Sequence, residues 1–310
     1  FSKTFTSKLS VQASIAAEYY NAKELSDDTK KELWNDIAWF PTINISYRPA
    51  PVHVFQFTVS SDKRYPSYWN MSPNIFYFSA YGVTYGNPYL RPQRDYNVGL
   101  TYIFRQRYVI RPYINYIPGY FAQLPYQSPN ELRQEFVEQN YDYRRNIGLM
   151  AVIPFTLGPR ISSRLIANGM YWREKDDEFF DMAFDRRAVV GIFQMNHDIV
   201  LASKPDLKMN ISGYISTPGA IQGIYDLGAS GNLSGALTWT SSNDRARFIL
   251  KAEDVFNTRI PTASIDFKGQ KSTLKAFQDT RLFSLSFVYR FGGYKESKRE
   301  EVDTSRFGGL

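Results

Sequence analysis

Hydrophobic and polar residues alternate one by one over long stretches of this chain. Between Ile224 and Thr240, one parity holds Tyr225, Leu227, Ala229, Gly231, Leu233, Gly235, Leu237 and Trp239. The other holds Asp226, Gly228, Ser230, Asn232, Ser234, Ala236, Thr238 and Thr240. Successive side chains of a strand point to opposite faces, so the pattern predicts a strand with one apolar and one polar face. A helix would scatter both sets around its circumference. Phe5, Leu9, Val11, Ala13, Ile15, Ala17 and Tyr19 oppose Thr4, Lys8, Ser10, Gln12, Ser14 and Glu18 in the same way. Near the other end, Phe283, Leu285, Phe287, Tyr289 and Phe291 oppose Ser284, Ser286, Val288 and Arg290. The alternation predicts twelve strands, over 4–20, 37–48, 52–60, 93–105, 108–121, 131–154, 161–174, 187–202, 207–216, 224–240, 245–256 and 277–291.

A soluble sandwich also alternates, so the connections decide between the two. Short links fall at Pro49–Pro51, Gln106–Arg107, Thr156–Arg160, Ser203–Asp206 and Ser241–Asp244. Long ones fall between them, at 21–36, 61–92, 122–130, 175–186, 217–223 and 257–276. A transmembrane barrel sorts its loops this way, with tight periplasmic turns at one rim and long extracellular loops at the other. A sandwich has no reason to sort loops by parity. The predicted fold is therefore all-β, an antiparallel up-and-down transmembrane β-barrel whose last strand runs toward the periplasm. Leu227, Leu233, Leu237, Leu285, Phe287, Ile211 and Met209 are expected to face lipid.

Composition supports this and removes other classes. There are 23 Tyr, 23 Phe and 5 Trp, yet no apolar run reaches the roughly 20 residues that a membrane helix needs. Without cysteine there is neither a disulfide framework nor a thiolate metal site. The net charge of +7 is spread along the chain, and the densest run, Lys295–Glu301, mixes both signs. That describes a solvated tail and not an arm for nucleic acid. Residues 1–291 are expected to form barrel and 292–310 a charged periplasmic tail.

Three segments carry a family resemblance. Gly86-Asn87-Pro88-Tyr89-Leu90-Arg91-Pro92 resembles the Gly-Asn-Pro-x-Leu-Lys-Pro segment of TonB-dependent receptors. Asp254-Val255-Phe256-Asn257-Thr258 resembles the step that ends their penultimate strand, and Phe283 to Gly293, with Tyr289 and Phe291, their closing strand. The tail Asp303–Gly308 is similar to that of the outer-membrane β-barrel family proteins within this group. The resemblance implies about twelve strands of a 22-stranded barrel. It also implies that a plug domain and the segment that contacts TonB lie upstream of Phe1. It implies an outer-membrane transporter for energised uptake, with no enzyme activity and no cofactor. Its partners would be outer-membrane lipid and lipopolysaccharide, the TonB complex, and a ligand that is a chelate, a glycan or a peptide. The alternative is a complete twelve-stranded, passive, porin-like channel.

Candidate site residues follow from position. The loop 61–92 carries Tyr65, Tyr68, Trp69, Asn70, Tyr77, Tyr81 and Tyr85. Long loops tend to be functional, and Tyr and Trp give rigid amphipathic contact area. Packing in an aromatic girdle is the competing role. Lys8, Gln12, Glu18, Asn210, Asn232, Lys251, Glu253 and Arg290 are expected to line the lumen, or simply to fill it with hydrogen bonds. Asp176, Asp177, Glu178 and Asp181 cluster in one loop, where Arg173, Lys175, Arg186 and Arg187 balance them, so a solvated loop is favoured over a calcium site. His53 and His197 fall on apolar strand faces without catalytic partners in the local sequence.

Overall fold

The computed structural model describes residues 1–291 except 27, 28, 129 and 181. Its strands, in chain order, begin with β1 (Ser2–Thr6), β2 (Leu9–Ser26), β3 (Thr29–Ala50) and β4 (His53–Arg64). Helix α1 (Tyr68–Met71), β5 (Phe76–Ser79), β6 (Gly82–Tyr85), β7 (Gln93–Phe104) and β8 (Tyr108–Pro118) follow. Then come β9 (Phe121–Gln127), β10 (Gln134–Asn140), β11 (Tyr143–Leu157), β12 (Ile161–Asp176), β13 (Phe184–Ser203) and β14 (Asp206–Ser216). The rest are β15 (Ala220–Gln222), β16 (Tyr225–Leu227), β17 (Ser230–Thr240), β18 (Ala246–Glu253), β19 (Ala263–Phe267), β20 (Gln270–Leu274) and β21 (Leu282–Tyr289).

Thirteen strands form one antiparallel sheet in the order β1-β2-β3-β4-β7-β8-β11-β12-β13-β14-β17-β18-β21. Each pairs with its neighbour through a hairpin, as the alternation of loops predicts. Two smaller four-stranded sheets, β5-β6-β10-β9 and β15-β16-β19-β20, are built from the long connections. Among the described residues no ladder joins β21 to β1 or β2. The large sheet is therefore not closed by pairing its own ends, which agrees with the expectation for part of a larger barrel.

The faces follow parity. Val189 is 75% exposed and its neighbour Val190 only 1%. The outward set includes Ile15, Ile43, Leu100, Ile114, Leu149, Phe193, Leu233, Leu237, Leu285 and Phe287, all exposed as a lipid-facing surface must be when lipid is absent. Ile211 and Met209 share that face through their ladder partners Gly235 and Leu237. Inside the large sheet each strand's backbone pairs with both neighbours, and the outer edges of its first and last strands are left for strands outside this chain.

Several elements differ from expectation. The first predicted strand is a short hairpin, β1 to β2, which raises the count in the large sheet from twelve to thirteen. The predicted loop 21–36 is instead the end of β2 and the start of β3, paired up to Ser26 and Thr29. Beyond the membrane no lipid lies along the ribbon, and only Leu33 and Trp34 pack against the cap, so no continuous apolar parity marks it. The predicted strand 131–154 breaks at Tyr141 and Asp142 into β10 and β11, which belong to different sheets. The predicted strand 224–240 breaks in the same manner into β16 and β17. Leu227 accordingly packs against Met170, Val190 and Ala220 and does not face lipid.

Candidate functional site

The long connections assemble at one rim instead of hanging free. Leu124 and Tyr126 of β9 pack with Tyr141, with Phe179 and Met182 from the β12–β13 connection, with Phe184 at the start of β13, and with Ile224 and Ile265. Leu124 and Ile224 are fully buried. Gln127 and Gln270 tie the two small sheets reciprocally: the Gln127 amide donates to Gln270 Oε1 at 2.8 Å, and Gln270 Nε2 donates to the Gln127 carbonyl at 2.9 Å. The rim thus carries its own hydrophobic core, separate from the membrane-spanning sheet.

The motif residues build this cap. A Cβ on Gly86 would lie 2.6 Å from the backbone nitrogen and oxygen of Ser72, so only glycine lets the chain pass the end of α1. Asn87 Nδ2 donates to the Glu138 carbonyl at 3.1 Å, and Asn87 Oδ1 accepts from the Tyr89 amide at 3.0 Å. Leu90 is buried against Met71 and Phe121. Pro88 lines a cleft with Trp34 and Tyr68, while Pro92 leads into β7. Asp254 is fully buried and accepts from the amides of Thr258 at 3.1 Å and Arg259 at 3.3 Å. Asn257 Oδ1 accepts from the Thr280 amide at 3.0 Å, closing the loop onto the start of the last strand. Phe256 is exposed beside Leu233 and Ile215 on the outer face. Tyr289 and Phe291 meet edge to face, ring centroids 4.7 Å apart, on the closing strand's outward side. All of these are architectural roles.

The aromatic candidates separate into two groups. Tyr65 is held: it stacks on Tyr20 at 3.8 Å and its hydroxyl donates to Asp36 at 3.1 Å. Tyr85 is also held, donating to Glu135 at 2.6 Å, and burial followed by that bond pushes its hydroxyl up to about 12. Asn70 caps α1 with Ser67 and donates to Glu138 Oε1 at 2.8 Å. Tyr68, Trp69, Tyr77 and Tyr81 are exposed. So are Ile75, Phe76 and Phe78, which the sequence reading passed over. Together they make the exposed surface of α1 and the β5–β6 hairpin, on both faces of β5, predominantly aromatic.

Beneath that surface lie two adjoining clefts that share Asn70, Gln123 and Glu138. The larger, about 430 Å³, also takes Arg64, Tyr65, Phe121 and Gln222. The smaller, about 260 Å³, takes Trp69, Phe76 and Tyr85. Gln123, Glu138 and Gln222 come from β9, β10 and β15, distant in sequence and brought together only by the cap. No parity or motif marks them.

Burial raises the Glu138 carboxyl above its ordinary 4.5, which the Asn70 bond and the Arg64 charge only partly counter. A carboxyl raised on folding disfavours the folded cap wherever it is ionised. Cap stability is therefore full below the unfolded carboxyl value and falls as pH rises from there through the folded value. Protection factors for β9 and β10 amides, corrected for intrinsic exchange, are expected to decline from pH 4.5 toward 7 in the native protein. Glu138→Gln should flatten that decline; an unchanged slope would assign it to another group.

The lumen candidates are placed by the ladder. Gln12, Glu18, Asn210, Asn232, Lys251 and Glu253 share the inward parity with Val190, traced strand by strand. Lys251 and Glu253 pair with each other there. Lys8 is instead in the β1–β2 turn, and Arg290 is one residue past β21 with its amide donating to the Arg245 carbonyl at 2.8 Å. In the acidic loop Asp177 pairs with Lys175, and the Asp176 carboxyl accepts from the Glu178 amide at 3.3 Å. Asp181 lies outside the described residues, and no group that could hold a metal occurs among the described ones. His53 Nδ1 meets the Tyr102 hydroxyl at 2.8 Å, and His197 Nδ1 meets Ser163 Oγ at 2.7 Å, both as structural contacts on the outward face.

An open antiparallel sheet with a lipid-facing apolar surface and a folded extracellular cap defines a transmembrane β-barrel protein. The chain belongs to the outer membrane protein beta-barrel family, whose sequence model matches residues 1–289. That places it in the outer membrane of a Gram-negative bacterium. No curated protein matches by sequence. Its fold is similar to the siderophore receptor PirA of Pseudomonas aeruginosa, at 12% identity and TM-score 0.55, covering 91% of this chain and 48% of that one. PirA of Acinetobacter baumannii gives 11%, 0.56, 93% and 44%. The ferric enterobactin receptor PfeA of Pseudomonas aeruginosa gives 10%, 0.57, 92% and 44%. The chain thus spans a little under half the length of these receptors.

Proposed function

We propose that the chain is the later part of a TonB-dependent receptor barrel that takes up a ligand across the outer membrane. The observation that carries this reading is the cap: extracellular connections packed into one body, with an aromatic surface above a polar cleft at the mouth of an unclosed sheet. Passive pores need no such investment of buried core in their loops. A self-contained channel would also need a ladder between β21 and β1, which is missing among the described residues. In this reading Tyr68, Trp69, Tyr77 and Tyr81 capture the ligand, while Asn70, Gln123, Glu138 and Arg64 orient it. The amides and flat aromatic faces suit a chelate, a glycan or a peptide rich in hydrogen-bonding groups. Gln12, Glu18, Asn210, Asn232, Lys251 and Glu253 line the path beneath. The remaining strands, the plug and the TonB contact belong to the rest of the protein, and residues 292–310 to the periplasm. The protein performs no covalent chemistry.

The test is uptake by the full-length protein in cells with and without proton-motive force. A ferric catecholate, an oligosaccharide and an oligopeptide serve as labelled probes. One probe is expected to accumulate only in energised cells. Trp69→Ala with Tyr77→Ala should weaken its binding by about 2 kcal/mol or more, roughly 30-fold. Accumulation without energy would mean a pore, and full uptake by the double variant would move the capture site elsewhere.

A further inference from the structure

Three arginines stand directly opposite one another on three adjacent strands of the large sheet: Arg145 of β11, Arg173 of β12 and Arg187 of β13. All three share the parity of Val189, the exposed, lipid-facing side. Like charges directly opposite across strands destabilise a sheet. Among the described residues one carboxylate answers them. Asp185 receives two hydrogen bonds from Arg173, at 2.8 and 2.7 Å, and lies 3.5 Å from Arg187. Asp142 and Asp177 pair with Lys175 instead. Arg145 has no hydrogen bond or ion pair among the described residues, and its Nε is buried without a partner. The row therefore holds two surplus positive charges, one at each end, about 10 Å apart by strand spacing.

Its height matters as much as its charge. The row is twelve residues above the turn-side pair Leu157–Ile161 along β12. A tilted strand climbs roughly 30 Å over that distance, just beyond an apolar band about 25 Å tall. Tyr143, whose ring lies 5.8 Å from the Arg173 guanidinium, marks the interface there. Directly below are Ile147, Leu149 and Val189, all exposed. Cations above an apolar field, on the side with the long loops, match an amphiphile of the outer leaflet with anionic groups over acyl chains.

We infer that Arg145, Arg173 and Arg187 form a binding site for lipopolysaccharide, with phosphates of its sugar headgroup on the arginine row and acyl chains over Ile147, Leu149 and Val189. Two separated cations favour a headgroup with more than one phosphate over a glycerophospholipid with one. Guanidinium forks suit phosphate oxygens better than ammonium groups do. The inference rests on the outer-membrane location and on the sheet, and it stands whether or not the protein imports a ligand.

The experiment titrates the full-length protein in detergent with deep-rough lipopolysaccharide and follows the lipid adduct by native mass spectrometry. Parallel titrations use the same lipid with its phosphates removed, and phosphatidylglycerol. Removing the phosphates, or making Arg145→Ala with Arg187→Ala, is expected to weaken binding at least tenfold. Arg145→Lys with Arg187→Lys should recover part of it. Arg105→Ala with Arg107→Ala, at the opposite turns, should change nothing. Circular dichroism confirms that each variant keeps its strand content. Equal binding of the dephosphorylated lipid, of phosphatidylglycerol, or by the Arg145/Arg187 alanine variant would overturn the site, as would an equal loss in the Arg105/Arg107 control.

Discussion

Glu174→Ala is expected to destabilise the protein by about 3–5 kcal/mol, because it leaves a charge buried without its counterion. Glu174 is completely shielded from solvent, and its Oε1 lies 2.9 Å from Arg144 Nε, in ion-pair contact though without the alignment of a hydrogen bond. The Arg144 guanidinium is sandwiched between Tyr120 at 4.6 Å and Trp172 at 4.7 Å, and its Nη1 donates to the Tyr120 hydroxyl at 2.6 Å. The other Glu174 oxygen accepts from the Gly223 amide of the β15–β16 turn. One carboxylate therefore joins β11, β12 and the cap. A Cβ on Gly223 would lie 2.4 Å from Leu124 and 2.6 Å from the Tyr141 hydroxyl, so the turn is packed closely against the cap core. Urea titration of the protein in lipid vesicles, followed by tryptophan fluorescence, measures the cost. Glu174→Gln should lose less, since its amide oxygen still accepts. Replacing both partners, Arg144→Met with Glu174→Leu, should restore most of the stability. A loss below about 1 kcal/mol for Glu174→Ala would show that water reaches the pair.

Leu124→Ala should cost the cap about 2–5 kcal/mol while sparing the large sheet. Leu124 has no exposed surface and packs among Tyr126, Tyr141, Phe179 and Ile224, side chains from three separate connections of the large sheet. Its loss opens a cavity in the core where the two small sheets meet. The outward side of the large sheet has no equivalent dependence, because lipid covers it. Hydrogen exchange should show lost protection in β9, β10, β16 and β19 with unchanged protection in β11 to β14. If protection falls everywhere together, the cap and the sheet are a single cooperative unit.

The separation between sheet and cap also explains which parts were legible in the sequence. For strands in the bilayer, one face meets lipid and the other does not, so the boundary between two solvents writes a period of two into residues such as Leu233, Asn232, Leu285 and Ser284. The parity of loop lengths then fixed topology and orientation. The Gly86 and Asp254 motifs were visible as well, because each is a local turn whose backbone demands a particular residue.

Above the membrane that boundary disappears. The ribbon at 21–36 touches protein only locally, where Leu33 and Trp34 pack against Met71, Leu90 and Phe121, so its strands carry no continuous alternation to read. The cap is held by contacts between segments far apart in the chain, such as Gln127 with Gln270 or Leu124 with Ile224. Short strands such as β15 and β16, three residues each, have no periodicity of their own. The same distance hid the cleft, since Arg64, Gln123, Glu138 and Gln222 become neighbours only when the small sheets form. It hid the arginine row too: Arg145, Arg173 and Arg187 are unremarkable one at a time, and only strand register sets them side by side. Sequence alone thus determined the membrane-spanning architecture, because the bilayer imposes its pattern residue by residue. Tertiary structure alone decided where the rim cleft and the arginine row lie, because long-range pairing, not local chemistry, brings those side chains together.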